Sequence, residues 1–179
     1  MKRIIAISAG LLVLSITGYK AFERGLSYKL IGYRDYTQQL DKKHLNQINY
    51  RFGYAYDATE KDLLRFVLGN TSGVLNFDMH TNTLQNPNAI LDRKSGHCKM
   101  YSYVMASTYN QLAKLNKISG NCRVAYGHVY LYGVNLHQFF SSSFFRDHDF
   151  CVVKNKSGVH AVDAILYDYL MIDQIRLRK

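Results

Sequence analysis

The stretch SGHCKMYSYVMASTYNQLAKL, Ser95 to Leu115, decides the fold. Tyr101, Val104, Met105, Thr108, Leu112 and Leu115 recur at steps of three and four, which lines one face of an α-helix. The helix should start near Gly96 to Cys98, with Ser95 as its cap, and Asn116 to Gly120 breaks the pattern. Cys122 to Tyr132, rich in Val and Tyr, then reads as a strand. Asp149 to Val153 is a second strand, Lys154 to Ser157 a turn, and Val159 to Leu166 a third strand. A long helix followed by successive strands predicts an α+β fold, helices packed on an antiparallel sheet.

Upstream, Asp57-Ala58-Thr59-Glu60 has the form of a capping box, with Leu63, Leu64, Phe66, Val67 and Leu68 behind it and Gly69 placed to stop the helix. Gly73 to Pro87 is rich in Asn, Thr and Gly and reads as loop. Residues 57–179 are therefore taken as the main domain. Residues 23–56 are polar and Tyr-rich; Tyr33, Tyr36, Leu40, His44 and Ile48 suggest a loosely amphipathic helix, a stalk leaning on that domain. Residues 1–22 look like a signal peptide or signal anchor: Lys2 and Arg3 precede the uncharged run Ile4 to Gly18. No Ala-x-Ala cleavage signal follows, and Tyr19, Lys20 and Phe22 suit the interfacial end of an anchor. The expectation is an exported or membrane-anchored protein acting on the extracytoplasmic, periplasmic side.

Composition narrows the class. The 179 residues hold 47% apolar side chains, one Pro and 12 Gly, which excludes wholesale disorder and collagen-like repeats. Three Cys are too few for a disulfide-built miniprotein. After residue 20 no apolar run approaches the ~20 residues of a membrane span, so a polytopic membrane protein is excluded as well. The formal net charge of +10 favours anionic partners and surfaces. The basic residues are scattered as singles and pairs, without a nucleic-acid-binding signature, so no nucleic acid is expected as partner.

Chemistry concentrates at three positions. Cys98 falls in the first turn of the expected helix, where unpaired amide N–H groups and the helix dipole stabilise a thiolate. In the expected hairpin, Val153 opposite Gly158 puts His148 opposite Asp163, on one face with Cβ atoms about 4.5–5.5 Å apart. A carboxylate so placed holds one imidazole nitrogen while the other faces the thiol. The same register pairs Cys151 with His160 on the opposite face.

These residues resemble a known family. Residues 60 to about 168 are similar to the transglutaminase-like (papain-like) core: Gly96-His97-Cys98 at a helix start, the helix Met100 to Leu115, then Arg123-Val124-Ala125-Tyr126-Gly127. His148-Asp149-Phe150 matches the strand that begins with the base, and Asp163 after Val159 to Val162 matches the acid. The segment Val134 to Arg146, with Ser141, Ser142 and Ser143, reads as an inserted loop between nucleophile and base. Phe150 stands where the family commonly has Trp, and Ala164 where it often has Pro. The resemblance implies a cysteine-dependent hydrolase or acyl transferase acting on peptide or protein amide bonds, with Cys98 as nucleophile, His148 as base and Asp163 as orienting acid. Among family members, a small tethered core resembles the bacterial envelope-associated peptidases.

Cys122 and Cys151 fall on strands that can neighbour each other, so a disulfide between them would leave Cys98 free. His97 is expected to point a different way round the helix from the thiol. His80, His128 and His137 have no metal-like spacing, and neither a cofactor nor a metal is expected. A competing reading keeps the fold without the enzyme: a binding module whose basic, Tyr-rich surface holds an anionic partner.

Overall fold

The computed structural model describes residues 18–53, 58–139 and 146–178. The chain is α+β. In order it runs α1 (residues 18–25), β1 (Leu26–Tyr33), α2 (Lys42–Phe52), α3 (Glu60–Val74), β2 (Asn76–Phe77), α4 (Pro87–Arg93), β3 (Ser95–Gly96) and α5 (Cys98–Leu115). Then follow β4 (Asn121–Leu131), β5 (Val134–Asn135), a 3-10 turn at Leu136–Phe139, β6 (His148–Asn155), β7 (Gly158–Val162), α6 (Ala164–Leu170) and β8 (Arg176–Arg178).

The main sheet has the order β7-β6-β4-β1-β8, with β5 on β4; all its pairings are antiparallel except β1 with β8. Successive strand residues point to opposite faces, so each strand serves two apolar layers. Cys122, Val124, Cys151, Val153 and Val162 pack towards α5 and the helices around it. Leu26, Tyr28, Ala125, Phe150, Val152 and Ala161 point the other way, against Tyr19 and Phe22 of α1, Leu166 and Leu170 of α6, and Ile172 and Ile175. The central helix α5 touches α2, α3, α4, β4 and β6, and its Met100, Val104, Tyr109 and Leu112 are fully buried.

Several expectations change. Residues 26–33 are not stalk but strand β1, within the sheet between β4 and β8. The signal is period two: Leu26, Tyr28 and Leu30 point into a core while Lys29 and Ile31 stay exposed. The helix expected from Tyr33 to Ile48 begins only at Lys42, where the Asp41 carboxylate accepts the His44 N–H at 2.8 Å. The cap of α3 is Thr59 with Asp62, a reciprocal capping box, whereas Asp57 lies outside the described residues. Gly69 does not end that helix. Its interior cost of about 1 kcal/mol is outweighed by burial of Leu68, Thr71 and Ser72 around it. The third strand stops at Val162, and residues 164–170 are helix. Cys122 and Cys151 are both free thiols, buried on the helix side of the sheet, so the disulfide is not formed.

The register of β6 on β7 differs by two residues from the expected one. Cys151 faces Val162, Val153 faces His160 and Asn155 faces Gly158. A two-residue slip keeps every side chain on its face, where a one-residue slip would reverse them all. His148 and Asp163 therefore stay on one face as diagonal neighbours rather than as a direct pair.

Among the described residues no helix is long and apolar enough to cross a membrane. Most of the expected signal or anchor segment (residues 1–17) lies outside the described residues, as do Ser141, Ser142 and Ser143 of the expected inserted loop.

Candidate active site

Cys98 is the first residue of α5, an 18-residue helix. Ser95 is not the cap; His97 holds that position, in extended backbone, without a side-chain capping bond. The helix end thus keeps its dipole and amide donors for a group at the thiol. Gly96 is needed for packing, because a Cβ there would sit 2.9 Å from Met100 Cβ. The thiol is partly exposed, unlike Cys122 and Cys151.

His148 opens β6, opposite Gly127 of β4. Its Nε2 lies 2.5 Å from Asp163 Oδ2, and the imidazole is near enough to Cys98 to lower the thiol. With Nε2 taken by the carboxylate, Nδ1 is the nitrogen left for sulfur. Gly127 lets the strands come this close: a Cβ on it would overlap the Lys29 carbonyl oxygen of β1, beside the bulge between Leu30 and Gly32.

Asp163 is buried, and each of its oxygens is used twice. Oδ1 caps α6, accepting the N–H groups of Ile165 at 2.9 Å and Leu166 at 3.4 Å. Oδ2 accepts from His148 and from the Tyr28 hydroxyl at 2.6 Å. Tyr28 is fully buried, its ring edge-on to His148 at 5.6 Å and tilted against Phe150 at 4.6 Å. The sequence reading missed Tyr28 because it treated β1 as stalk; the alternation of Leu26, Tyr28 and Leu30 was the available signal.

Electrostatics follow from this arrangement. Burial alone would push the Cys98 thiol up. Hydrogen bonds from His148 and His97, the charge of His148 and the Asp149 backbone N–H outweigh burial and bring it down to about 7. Burial would likewise lower the His148 imidazolium, but the Asp163 carboxylate and then the Cys98 sulfur hold it well above the ordinary histidine value. Asp163, despite burial, is held below the usual carboxylate range, chiefly by the charge and hydrogen bond of His148. All three shifts favour thiolate, imidazolium and carboxylate together.

Two further features flank the sulfur. His97, expected to point away, reaches the thiol, and its Nε2 pairs with Thr83 Oγ1 at 2.8 Å. On the other side, Arg34 Nε and Nη2 clasp the buried Asp149 carboxylate at 2.8 and 3.2 Å, and the guanidinium lies 4.2 Å from the Tyr126 ring centroid. No group of His, Cys, Asp and Glu among the described residues has the arrangement to hold a metal ion. A cavity of about 750 Å³ lies at the far end of α5, lined by Thr59, Lys61, Asn116 and Lys117, and holds none of the three reacting groups.

The structure therefore brings together all three residues singled out from the sequence. Chemically, the cluster combines a thiol lowered towards neutral pH, an imidazole beside it, and a carboxylate that fixes the orientation of the imidazole, the set of groups that thiol acyl-transfer chemistry requires. No family model, no curated protein and no solved structure matches the chain.

Proposed function

We propose that the protein is a cysteine-dependent hydrolase or acyl transferase with a transglutaminase-like (papain-like) core, acting on peptide or protein amide bonds. One observation carries the reading: at the uncapped start of α5, Cys98 has for neighbour an imidazole whose Nε2 lies 2.5 Å from a buried carboxylate, surroundings that lower the thiol to about 7. Structural cysteines buried in apolar surroundings have raised values, as Cys151 does here, held up by its burial and by Cys122. Cys98 departs from that pattern in the direction nucleophiles require.

In this reading the Cys98 thiolate attacks the carbonyl carbon of the amide. Negative charge on the carbonyl oxygen is met by N–H groups at the start of α5. His148, held protonated by Asp163, gives its proton to the leaving amine as the C–N bond breaks, leaving a thioester on Cys98. Water, deprotonated by His148, then releases the acid; an amine in its place would give transfer. We assign the protein to the cell envelope, exported or anchored through residues 1–22, as a peptidase whose partners are protein or peptide substrates. The test is peptide-library profiling of the full chain beside Cys98→Ala. Cleavage or transfer that disappears in Cys98→Ala supports the reading, and identical profiles refute it.

A further inference from the structure

Strands β4, β1 and β8 carry a second surface that the reacting groups do not use. Strand pairing places Lys29 between His128 and Arg178, and Ser27 between Tyr130 and Arg176. Paired residues share a face, so these six side chains form two adjacent rows on one side of the sheet. Three are cations, Lys29, Arg176 and Arg178, all exposed, and none is acidic. Arg178 reaches across the small, fully buried Ser27 to lie 4.3 Å from the Tyr130 ring centroid. Stacking of this kind holds a guanidinium in place while its N–H edges stay available.

Three cations elsewhere have carboxylate partners: Arg65 with Asp173, Lys20 with Glu23, and Arg34 with Asp149 and Asp147. Among the described residues no carboxylate lies within ion-pair distance of Lys29, Arg176 or Arg178. The surface is also continuous with the candidate site. Tyr126 precedes His128 and Tyr130 on the same face of β4 and stands opposite Asp149, the residue after His148 on β6. At about 3.3 Å per residue, Tyr126 to Tyr130 spans roughly 13 Å, or four residues of an extended peptide.

We propose that this face docks an acidic stretch of the protein substrate, several residues from the bond presented to Cys98. The proposal rests on Cys98 being the nucleophile, and it goes further by giving the substrate a charge pattern. Matched charge of this kind contributes both encounter rate and register, and it weakens with salt.

The test uses the full chain carrying Cys98→Ala and two fluorescein-labelled peptides, one with Glu and Asp interspersed with Ala, the other with Gln and Asn in their place. Fluorescence anisotropy should show binding of the acidic peptide only, weakened at least tenfold by raised salt. Lys29→Glu with Arg178→Glu should weaken it at least tenfold. Lys42→Glu with Lys43→Glu, the same change of net charge on α2, should leave it within about twofold. Equal weakening by both pairs, or equal binding of the two peptides, would overturn the proposal. So would anionic vesicles that bind through Lys29 and Arg178 while the acidic peptide does not, which would assign the face to a membrane. Parallel turnover by the unmutated chain separates the two layers. Hydrolysis without preference for acidic sequences removes the docking face and leaves the nucleophile; patch-dependent binding beside an inert Cys98 removes the nucleophile and with it the substrate role of this face.

Discussion

Replacing His148 with Ala probes the thiol directly. In the folded protein burial pushes Cys98 up, and the imidazole supplies both a hydrogen bond and a charge that act against burial. Without it, His97 and the Asp149 N–H remain, and the midpoint of thiol ionisation should move from about 7 to roughly 9 or higher, towards the ordinary value of 9.0. A shift of that size is worth about 2.7 kcal/mol and cuts the thiolate share at pH 7 from about one half to about one in a hundred. The thiolate that remains is intrinsically more nucleophilic, by about six- to tenfold for a Brønsted slope of about 0.4–0.5. Alkylation at pH 7 should therefore slow by only about five- to eightfold, while above about pH 8 the variant should overtake the parent. The assay is iodoacetamide labelling followed by intact mass from pH 5 to 10, with circular dichroism to confirm folding and His148→Gln as a bulkier control. Cys122 and Cys151 are buried and should label slowly throughout. A midpoint that stays near 7 in both variants would refute the coupling of sulfur to imidazole.

Other consequences follow from the same geometry. Tyr28→Phe removes the 2.6 Å bond to a buried carboxylate and should cost about 1.5–3 kcal/mol in urea unfolding. It should also shift the Cys98 alkylation midpoint, by less than His148→Ala does, because Tyr28 acts on the sulfur only through Asp163 and His148. Gly127→Ala forces a methyl group onto the Lys29 carbonyl and should lower the melting temperature by several degrees, with the β1–β4 pairing the first to loosen in hydrogen exchange. Asp163→Asn keeps a capping side chain for α6 but breaks a buried pair, at about 3–5 kcal/mol. His148 is raised, so its share of the stability is complete below the ordinary 6.5 and is lost as pH rises through the folded value. Asp163 is lowered, so its share is present above the ordinary 3.8 and is lost as pH falls through the folded value. The melting-temperature gap between parent and Asp163→Asn should be widest between about pH 4 and 6.5; a gap that keeps widening above that window would contradict the assignment.

The parts of this molecule legible in its sequence are those fixed by short-range pattern. Helix α5 was readable because its apolar residues recur at helical steps, and Asn116 to Gly120 ended it where the pattern broke. Strand β4 was readable from its Val and Tyr content. Strand β1 was not, although Leu26, Tyr28 and Leu30 share one face, because its partners are the distant residues 125–131 and 176–178. An alternation only three residues deep marks a strand weakly, and the partners that make it central lie far away in the chain. The end of β7 was misread for a similar reason. Ala164 to Leu170 is a short helix closed by a left-handed Met171, and its start depends on Asp163 serving as cap. A residue read as a strand-end acid was also a helix signal.

That double duty explains why the candidate site was found despite a wrong register. Side-chain facing depends on parity alone, and the slip was even, so His148 and Asp163 kept a common face while the direct pairing failed. The distance was closed by the turn into α6, where Asp163 leaves the sheet and both of its oxygens become anchored. One oxygen holds α6, and the other is shared by the imidazole and the Tyr28 hydroxyl. The position of His148 is thereby tied to β1, β6 and α6 at once, and the sulfur comes to it on a helix end with no capping side chain. An imidazole fixed from three elements meets a thiolate whose only local support is the helix and its hydrogen-bond partners. Changes in β1 or α6, far from Cys98 in the chain, should therefore register as altered thiol ionisation before they register as unfolding.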